Sequence, residues 1–169
     1  MTEATEQERK VLVVCLGNPD RGDDALGVAV ANALVGRLPA DTKLLCRSGD
    51  MMSLIVDWAG FDALVCVDAA ASMGVPGRIH RINLATDELP TEISLTSSHA
   101  FGLADTVRLA RTLELAPQDI VVYAIEGGSF TVGAPMTPAV MAAIAKVADC
   151  IVAEVDRLRQ DLAEAEHHA

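Results

Sequence analysis

The sequence predicts one α/β domain with three layers, in which helices cover both faces of a mostly parallel, twisted sheet of about five strands. The 169 residues are the length of one ordinary domain, and 51% of them are hydrophobic, which is enough for a core. Only 3% are aromatic, so the core must be aliphatic, as in strands covered on both faces. Apolar runs of strand length alternate with segments of helical period, which favours parallel strands joined by helices.

Five segments have the pattern of strands. Three of them are continuous apolar runs, typical of strands buried on both faces, at residues 11–16, 63–68 and 120–125. A further strand is predicted over 43–47. Residues 78–82 alternate polar and apolar side chains, which predicts a strand with one wetter face.

Helices are predicted between these strands, because apolar residues recur there at spacings of three and four. The first begins at residue 24 or 25 and continues to about Leu38, where Pro39 stops the pattern. A short helix is predicted over 51–58 and another over about 100–115. The last helix begins at Pro138 and is long and amphipathic.

Charge and terminal composition narrow the range of partners. Thirteen Lys and Arg against 24 Asp and Glu give a net charge of -11, which repels polyanions, so we expect no binding to nucleic acid. The amino terminus is charged where a signal peptide needs an apolar core, and no apolar run approaches the ~20 residues of a membrane span. We therefore expect a cytoplasmic protein with no membrane partner. The single domain should span 1–169, with 1–9 and 161–169 as flexible tails.

The four cysteines are widely spaced and form no C-x-x-C pair that would suggest zinc or redox chemistry. They are Cys15, Cys46, Cys66 and Cys150. We expect them to be reduced, and those in predicted strands to be buried as small hydrophobic side chains.

Residues 17–24 read GNPDRGDD and follow the first predicted strand. The two glycines have the spacing of a phosphate-binding loop, but Asp23 and Asp24 stand where such a loop has Lys and then Ser or Thr. Their charge would repel phosphate, so a nucleotide is not expected. The positive end of the following helix stabilises an ionised aspartate, which can either cap that helix or accept a cation.

Two further residues are candidates for the same site. Asp68 ends the predicted strand 63–68, where a carboxylate is costly unless it is solvated, paired or bound to a metal. His99 precedes the third predicted helix; taken alone, it is better explained as a surface or loop histidine than as a ligand. Because ligands of parallel sheets bind at the carboxyl ends of the strands, Asp24, Asp68 and His99 form one candidate site. Two carboxylates and an imidazole suit nickel, zinc or copper better than magnesium or calcium.

These residues resemble a known family, the maturation endopeptidases of nickel-iron hydrogenases. The resemblance is carried by the segment 16–18 with 22–24 and Gly27, by 67–69, and by Ser98-His99, and it runs collinearly from about Val11 to the last helix. It implies a compact three-layer α/β protein that removes the carboxy-terminal extension of a hydrogenase large-subunit precursor after nickel insertion. Asp24, Asp68 and His99 would be the catalytic and metal-contacting residues, and the nickel would be carried by the substrate.

The resemblance is incomplete in one loop and leaves alternatives open. Residues 47–50 read RSGD where many members carry Asp-Gly-Gly-Thr, so the partner hydrogenase is undetermined. Asp23 and Glu126 are further candidates for a supporting ligand or a base. One alternative is a nickel-binding accessory protein without peptidase activity; another is peptidyl-tRNA hydrolase, whose opening also resembles 16–19 but which the net charge disfavours. We expect a monomer, since the protein must dock a large folded precursor.

Overall fold

The computed structural model describes residues 8–49, 51–84, 87–96 and 102–165, and only the backbone of the last five. Within these residues five strands form one sheet in the order β2-β1-β3-β5-β4. The strands are β1 (Val11–Leu16), β2 (Lys43–Arg47), β3 (Ala63–Ala70), β4 (Ile79–Asn83) and β5 (Asp119–Glu126). The first four in spatial order are parallel, and β4 runs antiparallel to β5 at the edge. The predicted mostly parallel sheet is confirmed.

Helices cover both faces of this sheet, as predicted. They are α1 (Leu26–Leu34), α2 (Leu54–Asp57), α3 (Leu103–Thr112) and α4 (Pro138–Ala165). Val13 and Val65 share one core with side chains of α1 and α4, whereas Leu12 and Leu64 share the other with side chains of α2 and α3. Alternate residues of a strand thus enter opposite cores, which is why these strands read as continuous apolar runs. In the described part of the chain, no helix has the length and hydropathy needed to cross a membrane.

The bounds of three helices differ from the sequence prediction. The helix α2 covers only Leu54–Asp57 of the predicted 51–58, because residues 51–53 form a 3₁₀ turn. The helix α1 ends at Leu34 rather than near Leu38, because Gly36 adopts a φ of 76° in the turn that follows. Its beginning is also later, since residues 22–25 form a separate 3₁₀ turn. The helix α3 covers Leu103–Thr112, a shorter span than the predicted 100–115, and residues 100 and 101 lie outside the described residues.

Arg9, which the sequence assigns to a flexible tail, is instead part of the folded domain. Its side chain is 3% exposed; the guanidinium donates to the Leu158 carbonyl at 3.2 Å and pairs with Asp119 at 2.5 Å. At the other end, α4 continues to Ala165 and includes residues 161–165. The remaining predicted tail residues, 1–7 and 166–169, lie outside the described residues, and their flexibility stays a prediction.

All four cysteines are free thiols, as predicted. Cys15 and Cys66 are buried, and burial, together with the nearby Cys46, raises the pKa of Cys15 to about 12. Cys46 is exposed, because β2 lies at the edge of the sheet, so the expectation of burial is wrong for this residue.

Candidate active site

The loop after β1 folds back so that Asp24 lies against the end of its own strand. Gly17 has a φ of 137°, and a Cβ atom at this position would collide with the Asp24 main-chain oxygen. Only glycine allows this close approach. Asp24 is 5% exposed, and its Oδ2 atom accepts a hydrogen bond from the Asn18 amide at 2.8 Å. This hydrogen bond fixes Oδ2 of Asp24 and leaves Oδ1 for another partner.

Asp68 does not end its strand, which corrects the sequence prediction. The strand β3 continues to Ala70, and Asp68 pairs in register with Ala124 of β5. Its side chain is fully buried. Since side chains alternate along a strand, it points to the same face as Cys66 and Ala70, the face covered by α2 and α3. The carboxylate therefore belongs to a residue two positions before the end of β3.

Thr96 brings the two carboxylates together. Its Oγ1 atom lies 2.6 Å from Asp24 Oδ1 and 3.2 Å from Asp68 Oδ1. The predicted juxtaposition of Asp24 and Asp68 is thus present, with one hydroxyl between them. Sequence reasoning missed Thr96, which lies in a loop rich in Thr and Ser and carries no motif that would distinguish it.

The third predicted residue, His99, lies outside the described residues together with 97, 98, 100 and 101. Among the residues that the structure does describe, no cluster of three or more His, Cys, Asp or Glu side chains is arranged to hold a metal ion. The two carboxylates are nevertheless suitable ligands for a divalent cation. Their oxygen atoms could bind the ion together with a third ligand from another residue.

A cleft of about 230 Å³ opens above Asp24 at the carboxyl ends of β1 and β2. Its lining consists of residues from three loops: Gly17, Asn18, Arg21, Asp24, Ser48, Gly49, Met51 and Thr96. Asp68 is not among them, because Thr96 lies between it and the cleft. The cleft is at the edge of the sheet where the sequence places the site.

Asp23 is a structural residue rather than a helix cap. Neither the 3₁₀ turn nor α1 has a side-chain cap, so the capping interpretation is wrong for both aspartates. Asp23 accepts hydrogen bonds from the amides of Gly128 at 2.7 Å, Ser129 at 3.0 Å and Thr137 at 2.7 Å, and from the Thr137 hydroxyl. Burial alone would raise the pKa of Asp23, but these hydrogen bonds outweigh it and hold the pKa below its ordinary value.

Glu126, the other supporting candidate, fixes the loop after β3. Its Oε1 atom accepts hydrogen bonds from the amides of Met73 at 2.5 Å and Val75 at 2.7 Å. Burial opposes ionisation, yet these bonds and the nearby His80 and Arg78 lower the pKa of Glu126. Glu126 does not line the cleft, so its position favours a structural role over that of a base.

Arg21 supplies a cation to the otherwise acidic site. Its guanidinium makes no hydrogen bond or ion pair with any described residue, although it lines the cleft beside Asp24. Other arginines are paired: Arg47 donates two hydrogen bonds to Asp57, at 2.8 and 2.9 Å, and Arg81 pairs with Glu154 at 2.7 Å. The backbone of Arg21 is held by an isolated bridge to Val132, so the guanidinium is presented from a fixed point.

Comparisons with known proteins agree on one family. The sequence profile of the hydrogenase maturation proteases matches residues 48–154, a stretch that includes Asp68 and His99 but not the loop 17–24. No curated protein sequence matches the chain.

Solved structures match over most of the chain. The hydrogenase maturating endopeptidase HybD from Escherichia coli is 26% identical, with a TM-score of 0.72 over 88% of this chain and 93% of its own. An endopeptidase from Escherichia coli is 27% identical, with a TM-score of 0.71 over 85% of this chain and 90% of its own. A hydrogenase maturation protease from Thermococcus kodakarensis, at 22% identity and a TM-score of 0.69 over 89% and 99%, agrees in fold.

Proposed function

The chain belongs to the family of hydrogenase maturation proteases and is a peptidase, and from this premise we propose its substrate and site. It removes the carboxy-terminal extension of a nickel-iron hydrogenase large-subunit precursor after nickel insertion. Asp24, Asp68 and His99 contact the nickel that the precursor carries. It works as a monomer in the cytoplasm. Family membership also disfavours peptidyl-tRNA hydrolase and an accessory protein without activity.

The observation that carries this proposal is the meeting of two buried carboxylates next to a cleft, which Asp24 lines and Asp68 does not. Asp24 comes from the loop after β1 and Asp68 from within β3, yet both contact the Thr96 hydroxyl. Burying two like charges side by side is costly, and a cation offsets that cost. Nickel bound to a precursor is such a cation, and imidazole from His99 would add the nitrogen ligand that it prefers.

Coordination of the precursor's nickel would place the scissile bond in a defined position. Positioning can supply up to ~7 to 11 kcal/mol of a hydrolytic barrier in well-oriented systems. A water molecule, polarised by the substrate's nickel or deprotonated by a carboxylate, attacks the carbonyl carbon. Negative charge then develops on the carbonyl oxygen, and the guanidinium of Arg21 lies in the same cleft to stabilise it.

The test is trimming of a nickel-loaded precursor, followed by mass spectrometry of the large subunit. We expect the variants Asp24→Asn, Asp68→Asn and His99→Ala each to be slowed at least ~100-fold, because a displaced substrate loses its reactive position. Asp20→Asn is the matched control: this aspartate lies in the same loop but is exposed, and among the described residues only its backbone groups make hydrogen bonds. Wild-type rates in all three site variants would refute the assignment.

A second measurement separates the peptidase from a nickel-binding accessory protein. Calorimetric titration of the isolated protein with free nickel should show weak binding, because the metal is expected to arrive with the precursor. Tight binding of free nickel combined with no trimming of any loaded precursor would favour the accessory role instead.

A further inference from the structure

The hydroxyl of Thr96 has more acceptors around it than it can serve. Its Oγ1 atom lies 2.6 Å from Asp24 Oδ1, 3.2 Å from Asp68 Oδ1 and 3.1 Å from the Ala69 carbonyl oxygen. A threonine hydroxyl has one proton and therefore donates one hydrogen bond. The shortest distance assigns that proton to Asp24. The hydroxyl thus lies between the two carboxylates, within hydrogen-bond distance of both.

The backbone keeps Thr96 in this position. Its amide donates to the Ala69 carbonyl at 2.8 Å, and the Ala71 amide donates to the Ser94 carbonyl at 2.8 Å. Leu95 forms an isolated antiparallel bridge with Ala70. Because its Cβ atom is branched, the threonine side chain also has few alternative rotamers. Backbone hydrogen bonds therefore hold the segment 94–96 along the end of β3, with the Thr96 hydroxyl next to the Asp68 carboxylate.

The two carboxylates differ in their access to solvent. Asp24 and Thr96 line the cleft, whereas Asp68 does not line it and is fully buried. A cation that enters the cleft meets Asp24 and the Thr96 hydroxyl first. To contact both carboxylates from the cleft, the cation has to displace the Thr96 hydroxyl from Asp24.

Building on the function proposed above, we propose that Thr96 determines which nickel the site accepts. Its hydroxyl closes the Asp24 and Asp68 pair against free cations, and only nickel delivered by a docked precursor displaces it. A free ion must break a charge-assisted hydrogen bond with its own binding energy alone. A precursor brings additional contacts, and part of that binding energy can be spent on opening the pair. Thr96 is thus a positioning residue that confers selectivity.

The experiment measures binding of Ni²⁺ alone, by calorimetry at pH 7, to the wild type, Thr96→Ala and Thr96→Ser. We expect Thr96→Ala, which removes the hydroxyl and leaves its place between the carboxylates open, to bind about tenfold more tightly, since a charged hydrogen bond no longer has to break. Thr96→Ser keeps the hydroxyl and should bind as the wild type does. Binding by Thr96→Ala that is no tighter than that of the wild type overturns the proposal, as does binding by Thr96→Ser that is as tight as that of Thr96→Ala.

Two controls make the result unambiguous. Circular dichroism checks the fold, and if Thr96→Ala is unfolded, Thr96→Gly replaces it with the same two outcomes. Adding Asp24→Asn to the Thr96 variant should abolish the gain in nickel affinity, and a gain that survives contradicts a role at this site. Failure of the proposed function is seen separately, as normal trimming of the nickel-loaded precursor by Asp24→Asn alone.

Discussion

Asp23 and Asp24 are adjacent and chemically identical, yet the fold gives their carboxylates different surroundings. Asp23 is saturated by donors from two distant segments, the amides of Gly128, Ser129 and Thr137. Asp24 has one backbone donor and shares the Thr96 hydroxyl, and it borders the cleft. The number of donors that the fold supplies therefore decides whether a carboxylate holds the structure together or remains able to bind a ligand.

The two roles are mechanically linked. Asp23 ties the start of α4 and the loop after β5 to the 3₁₀ turn 22–25. Gly22 lies in that turn with a φ of 55°, and a Cβ atom there would come within 2.5 Å of the Ser129 carbonyl oxygen. Because Asp24 follows directly in the chain, the fixed position of Asp23 sets the position of its neighbour's carboxylate.

The largest expected effect is on stability, from Asp23→Asn. An amide retains one oxygen acceptor but directs an NH₂ group at the donors, so about two backbone amides lose their partner at ~1 to 3 kcal/mol each. We expect the free energy of unfolding to fall by about 3 kcal/mol, measured by urea denaturation. A loss below ~0.5 kcal/mol, the size expected for exposed Asp20→Asn, would show that Asp23 is not structural.

The same substitution at Asp24 should affect activity more than stability. We expect Asp24→Asn to lower the free energy of unfolding by only about 1 kcal/mol, because one oxygen still accepts a hydrogen bond. Trimming of the loaded precursor should fall at least ~100-fold, since the substrate's nickel loses an anionic ligand. The comparison breaks if Asp24→Asn unfolds as readily as Asp23→Asn, measured under the same denaturation conditions.

A smaller effect is expected at Arg21. Replacing it with alanine removes the cation that lines the cleft, and we expect kcat to fall about tenfold with KM nearly unchanged, if the guanidinium acts only on developing charge. Arg21→Lys should restore part of kcat. A rise in KM with kcat unchanged would instead assign Arg21 to binding of the precursor, and unchanged kinetics would remove it from the site.

The smallest expected effect is the pH dependence of the stability that Asp23 contributes. Its pKa is lower in the folded protein than in the unfolded chain, where an aspartate has a pKa of about 3.9. The stability that it contributes is therefore complete above that value and is lost as the pH falls through the folded pKa. We expect the stability difference between wild type and Asp23→Asn to be constant from about pH 8 to 5 and to shrink below about pH 4. A difference that stays constant at pH 3 would contradict this assignment.

The sequence predicted the sheet well because strands buried on both faces appear in the sequence as continuous apolar runs. Strands β1, β3 and β5 are covered on both faces, so nearly every position must be apolar, and the runs at 11–16, 63–68 and 120–125 were sufficient to place them. The end of β3 was less visible. Asp68 interrupts the apolar pattern, which made it look like a terminus, although hydrogen bonds continue to Ala70.

The site was only partly predictable, because hydrogen-bond partners far apart in sequence leave no local pattern. Nothing near residue 23 indicates that its donors lie more than one hundred residues away, so the sequence left a helix cap and a cation ligand as the two interpretations of these aspartates. Thr96 has the same difficulty, since its importance arises only when β1 and β3 are neighbours. The role assigned to His99 stays a prediction, as that residue lies outside the described ones.

The most direct test of the central claim is the nickel dependence of trimming. The rate on a nickel-loaded precursor is divided by the rate on the nickel-free precursor, for the wild type, Asp20→Asn and Asp24→Asn. If the Asp24 and Asp68 pair contacts the substrate's nickel, this ratio is large for the wild type and Asp20→Asn and falls to near one for Asp24→Asn. A ratio in Asp24→Asn equal to that of the wild type would contradict the account, since nickel would then be recognised elsewhere.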